Sequence, residues 1–131
     1  MKRKLIIAAH GSLAEGLKDS TLMMIGELPY ETGIYSLAKD NNPYDFSEEL
    51  KCEVIVNPDI EYIVLTDLYG AKLFKAMYSL TSYPNVRLFT GTNLNMMLSI
   101  CLNHPNELTD EDISMIVEES KNGIKYVRDA N

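Results

Sequence analysis

His10 ends the apolar run Leu5-Ile6-Ile7-Ala8-Ala9 and is followed at once by Gly11 and Ser12. Asp67 ends a second run, Tyr62-Ile63-Val64-Leu65-Thr66, and Gly70 follows it closely. Short apolar runs bounded by turn residues read as buried strands. Both polar side chains therefore stand where a strand gives way to a turn. In open α/β sheets this edge, at the carboxyl ends of the strands, is where ligands and chemistry collect. If the two strands are neighbours, imidazole and carboxylate meet there. Histidine titrates closer to neutrality than any other side chain, and a carboxylate partner fixes its tautomer. The two residues form a small reactive site.

The elements that must position this site alternate along the chain. Leu5–Ala9 is strand one. Ser12 can cap a helix, with Glu15 completing a capping box, and Leu13, Leu17, Leu22, Met23 and Ile25 supply its apolar face up to Gly26 and Pro29. Gly33–Ala38 alternates as strand two. Asp40-Asn41-Asn42-Pro43 is a turn cluster, and a helix from Tyr44 or Asp45 carries Phe46, Leu50, Val54 and Ile55. Glu61–Thr66 is strand three, Ala71–Leu80 a helix, and Val86–Thr90 strand four. Asn93 or Asn95 starts a helix running to Leu102. Thr109-Asp110-Glu111-Asp112 opens another, with acids in its first turn. Ile113, Ile116, Val117, Ile124 and Val127 continue it. Gly123 is a break point, leaving Ile124–Arg128 as a short extra helix or an edge strand. This order implies an α/β fold: right-handed crossovers, four mostly parallel strands, helices on both faces.

Composition removes several function classes. At 131 residues the chain is expected to form one domain, 1–131. Its net charge of −7, from 12 basic and 19 acidic residues, argues against nucleic acid and against an anionic membrane surface. Cys52 and Cys101 fit no metal or redox spacing and are expected as two buried thiols in a reducing compartment. His104, before Pro105, is expected as a surface histidine ending a helix. No Cys/His cluster suggests zinc. No P-loop suggests nucleotide, and no serine or cysteine sits on a nucleophile elbow. We therefore expect no cofactor and no metal. The basic start Met1-Lys2-Arg3-Lys4 imitates a signal peptide, but its apolar part is shorter than the roughly 7–15 residues of a real one. No run approaches the roughly 20 apolar residues of a membrane span. A cytoplasmic protein is the expectation.

Three segments together carry a family resemblance. The opening His10-Gly11-Ser12-Leu13-Ala14-Glu15-Gly16, the segment Leu65-Thr66-Asp67-Leu68-Tyr69-Gly70, and Gly91-Thr92-Asn93-Leu94-Asn95-Met96 follow strands one, three and four in register. They resemble the IIA domains of the mannose family in the bacterial sugar phosphotransferase system. The resemblance covers essentially the whole chain. It implies a doubly wound sheet and a homodimer that exchanges a C-terminal antiparallel strand. It also implies that His10 accepts phosphate from the phosphocarrier HPr and passes it to a IIB component, with Asp67 orienting the ring.

Elementary chemistry agrees with that implication. A reversible phosphoryl carrier needs an imidazole rather than an alkoxide. An aspartate accepting from Nδ1–H leaves Nε2 with the free lone pair, the orienting logic of a catalytic triad. Backbone N–H groups around Gly11 and Ser12, at a helix N-terminus, can cradle the anion. In-line transfer asks mainly for positioning and charge stabilisation. Where the family has Gly-Gly-Ser-Pro, this chain has Gly70-Ala71-Lys72-Leu73. The serine and proline are missing, and Lys72 brings a cation instead. Gly70, Ala71 and Lys72 are thus the expected altered half of the phosphate cradle. Thr66 stands beside Asp67 at the strand end, and Asn93 either lines the pocket or caps its helix. Two other functions stay open: a regulatory domain of the same fold that has lost transfer, and a phosphocarrier in dihydroxyacetone metabolism.

Overall fold

Alternate residues of the central strands point to opposite faces, and both faces are apolar, so this sheet is covered on two sides. A computed structural model describes residues 2–130. Strand β1 is Lys2–His10, helix α1 Leu13–Ile25, strand β2 Glu31–Leu37, helix α2 Pro43–Val56 and strand β3 Ile60–Thr66. Helix α3, Lys72–Tyr78, runs into a 3₁₀ turn at Ser79–Ser82. Strand β4 (Val86–Phe89), helix α4 (Leu94–Asn103) and helix α5 (Asp110–Lys121) complete the order. The four strands pair in parallel in the order β2-β1-β3-β4. The fold is the expected α/β architecture with helices on both faces.

Leu5, Ile7 and Ala9 of β1 pack with Ile63 and Leu65 of β3 under residues of α1, α4 and α5. Ile6 and Ala8 join Tyr62 and Val64 under α2 and α3. Strand order reverses direction between β1 and β3. That is the topological switch point, where a crevice opens beyond the strand ends. Among the described residues, no helix is long and apolar enough to cross a membrane.

Several expectations are corrected. The Ser12–Glu15 capping box does not form: Ser12 occupies the N-cap without a side-chain hydrogen bond, while Glu15 accepts from the Ser36 hydroxyl at 3.3 Å. The buried face of α1 is Ala14, Leu17 and Thr21. Leu13 and Met23 point outward. Thr21 reaches the core because its hydroxyl donates to the Leu17 carbonyl one turn back, which pairs that buried group. The reciprocal box is at α5, where Thr109 and Asp112 cap each other. Helix α2 starts at Pro43, behind an Asn42 side chain that accepts from the Tyr44 N–H.

His104 ends α4 as expected but is buried, with Asp112 at 3.3 Å from Nδ1 and Glu119 at 3.7 Å from Nε2. The thiols are not both buried: Cys52 is exposed and Cys101 half-buried. Neither a short helix nor an edge strand forms over residues 124–128 of the single chain; Ile124, Tyr126 and Val127 lie exposed.

At the amino end of the sheet, Arg3 and Glu61 form a buried ion pair at 2.9 Å, their side chains 5 % and 2 % exposed. Arg3 also donates to the carbonyls of His104 and Asn106, and Glu61 accepts from the Leu108 N–H. The pair thus ties β1 and β3 to the loop between α4 and α5.

Candidate functional site at the switch point

Parallel pairing sets β1 beside β3 with Ala8 opposite Thr66. Each strand then releases its polar residue over the same edge. The His10 backbone N–H donates to Asp67 Oδ2 at 2.9 Å. The ring Nδ1 lies 3.0 Å from Oδ2 and 3.1 Å from Oδ1. A carboxylate only accepts, so the facing nitrogen carries the proton and donates. In the neutral ring this leaves Nε2 with the free lone pair.

The two groups differ in exposure: 48 % for the His10 side chain against 12 % for Asp67. Burial pushes the Asp67 carboxyl up, but the His10 backbone and ring N–H bonds outweigh it, and its pKa lies below the ordinary aspartate value. A stable negative charge is thus held under a half-exposed imidazole.

The glycines shape the turns around the pair. Gly11 has φ +59°, and its N–H donates to the Leu37 carbonyl at 2.9 Å. This locks the β1 exit against β2 but removes the Gly11 N–H as an anion donor. The first N–H groups of α1 have no carbonyl inside the helix to bond. Gly70 has φ +81°, and the Ala71 N–H donates to the Leu68 carbonyl at 3.3 Å. With a glycine in the left-handed region at its third position, this is a type II turn. Ala71 has no side chain with which to cap α3.

A cleft of about 480 Å³ opens beside the imidazole, lined by His10, Gly11, Leu37, Lys39, Asn41 and Lys72 among others. The structure therefore brings His10, Asp67, Gly11 and Lys72 together. Gly70 and Ala71 shape the turn beneath, and Ser12 stays exposed at the α1 cap. Thr66 is buried: its hydroxyl donates to Thr90, and its carbonyl accepts from Thr92. Asn93 caps α4 and donates to the Ser120 carbonyl, away from the His10 cleft. Lys39 escaped the sequence reading. Its signal was a basic residue just beyond the end of strand two, the other neighbour of β1.

Comparison with known proteins bears on this geometry. A family model described as PTS system fructose IIA component, EIIA-man, matches residues 4–117. The chain is 26% identical over 109 residues to the sorbose-specific EIIA component of a PTS system from Klebsiella pneumoniae, covering 82% of this chain and 78% of that protein. Among solved structures it is similar to the mannose/sorbose-specific IIA subunit from Enterococcus faecalis, with 26% identity and a TM-score of 0.83 over 100% of this chain and 98% of that one. It is also similar to a phosphotransferase-system EIIA component from Streptococcus agalactiae, with 28% identity and a TM-score of 0.79, covering 95% and 96% of the two chains.

Proposed function

The chain belongs to the EIIA-man family of sugar phosphotransferase-system components, and from that premise we propose that it is a phosphohistidine carrier with His10 as the phosphorylated residue. The observation that supports this most is the Nδ1–H bond to Asp67, which leaves Nε2 as the nucleophile. Nε2 attacks the phosphorus of phospho-HPr. The Nε2–P bond forms as the donor's own N–P bond breaks, and the donor imidazole leaves with the electron pair. Asp67 holds the ring at one angle and steadies the positive charge that develops on it. A second transfer delivers the phosphoryl group to a IIB component in the cytoplasm: the acceptor's nucleophile bonds to phosphorus as the Nε2–P bond breaks, and the His10 ring leaves with the electron pair. The sorbose- and mannose/sorbose-specific relatives point to a monosaccharide as final acceptor.

A homodimer completes the reading. Strand β4 is an edge strand, and beside it lies an apolar groove of about 460 Å³ lined by Phe89, Met96, Ile113, Val117 and Ile124 among others. An open edge invites a further strand. The exposed apolar tail carrying Ile124, Tyr126 and Val127 supplies it from a second copy.

The test is incubation with enzyme I, HPr and phosphoenolpyruvate, followed by intact mass and site mapping. One acid-labile phosphoryl group on His10 is the expected product. The replaced Ala71-Lys72-Leu73 segment favours one second reading, a regulatory domain of the same fold. No gain of mass beside an active control IIA protein would make that reading the leading one.

A further inference from the structure

Lys39 and Lys72 line the same cleft as His10. They come from the exits of the two strands that flank β1. Lys39 lies just beyond β2, and Lys72 opens α3 after β3. Because β2, β1 and β3 are adjacent and parallel, the three exits share one edge with His10 in the middle. Both lysines are exposed. The lysine ion pairs among the described residues are those of Lys4 and Lys121, so neither cleft lysine is neutralised by a carboxylate.

The rest of the molecule makes two free cations here conspicuous. Its net charge is −7, and the Asp67 carboxylate sits against the ring. A phosphoryl group on a side chain brings about −1.5 to −2 further charges. Placed on Nε2 without cations it would meet a repulsive field. Ala71 offers no hydroxyl, and the Gly11 N–H is bonded elsewhere.

We propose that Lys39 and Lys72 form a two-sided cationic clamp on the phosphoryl group of His10, one lysine from each flanking strand exit. The clamp rests on the reading of His10 as the acceptor. It assigns phosphate binding to Lys72, which stands where the resembled family pattern has its serine, and it adds Lys39, which lies in none of the three motif segments. Each ammonium acts as a point charge. It stabilises the transferring group most while the donor nitrogen departs and charge collects on the phosphoryl oxygens.

The experiment compares the parent chain with Lys39→Met, Lys72→Met, the double variant and the two Lys→Arg variants. Two phosphoryl donors are used separately: phospho-HPr, and potassium phosphoramidate, which needs no protein partner and releases ammonia as its P–N bond breaks. Phosphorylation of His10 is followed by intact mass. At low salt each Lys→Met change is expected to slow both reactions about tenfold. Arginine should keep the rate. At ~1 M salt, where the screening length falls to about 3 Å, the differences should shrink. Parent rates in the Lys→Met variants with both donors would overturn the clamp and leave the carrier reading intact. Lysine-dependent labelling by phosphoramidate with none from phospho-HPr would do the opposite, sinking the carrier reading while supporting the clamp.

Discussion

Asp67 holds His10 at two points, accepting from its backbone N–H at 2.9 Å and from its ring Nδ1–H at 3.0 Å. The first bond fixes where the residue sits, and the second fixes how its ring is turned. One carboxylate thus joins the end of β3 to the end of β1 and sets the tautomer of the reactive group.

Asp67→Asn is expected to slow phosphorylation of His10 by about one to two orders of magnitude. An amide can accept with only one oxygen and presents a donor beside the ring. Single-turnover rates with phospho-HPr measure this. A rate within about twofold of the parent would remove Asp67 from the reaction.

The same carboxylate makes stability depend on pH. Its folded pKa lies below the ordinary value, so the ionised form favours the fold. That contribution is complete above the unfolded pKa of about 3.9 and is lost as pH falls through the folded value. Urea midpoints of the parent and Asp67→Asn should therefore differ at neutral pH and draw together as pH falls below the ordinary carboxylate range. A gap that persists unchanged in acid would mean that the charge is not its source.

His10→Ala should abolish phosphorylation while changing unfolding free energy by no more than about 1 kcal/mol, because the ring is half exposed. Its backbone N–H bond to Asp67 survives the change. A variant that no longer folds would move His10 from chemistry to structure.

Glu61→Ala should cost about 3–5 kcal/mol, since it leaves a buried Arg3 charge without its partner and frees the buried Leu108 N–H. Denaturant unfolding reports it. A cost below about 1 kcal/mol would mean that water or a neighbour replaces the carboxylate.

Removal of residues 122–131 should convert a dimer to a monomer and bare the groove beside β4. Sedimentation equilibrium decides this. A parent chain that is itself monomeric at working concentration would end the strand-exchange reading.

How legible the molecule was in its sequence varied with the strength of the local pattern. Strands β1 and β3 are buried on both faces, and their unbroken apolar runs could be little else. They carry His10 and Asp67, so the heart of the candidate site was visible early. Edge strand β2 mixes Thr32 and Ser36 with apolar residues, and its start was placed two residues late. On helix α1 Leu17 faces the core as expected, but Leu13 and Met23 were put there too because they outrank Ala14 and Thr21 in hydrophobicity, although it is Ala14 and Thr21 that point inward. Glu61 looked like an ordinary acidic residue at a strand start. Its burial depends on Arg3, 58 positions away, and no local pattern encodes that. Lys39 went unseen for a related reason: its nearness to His10 follows from strand order, which alternation alone leaves open.

The Arg3–Glu61 pair and the His10–Asp67 pair sit at opposite ends of the same two strands. Glu61 and Asp67 are separated by roughly 20 Å of extended chain. The anchor of the fold is therefore remote from its reactive rim. Substitutions at the rim, such as those around Ala71 and Lys72, can accumulate without loosening the anchor. A lineage with this layout can trade one phosphate grip for another, or one docking partner for another, while the scaffold beneath stays viable.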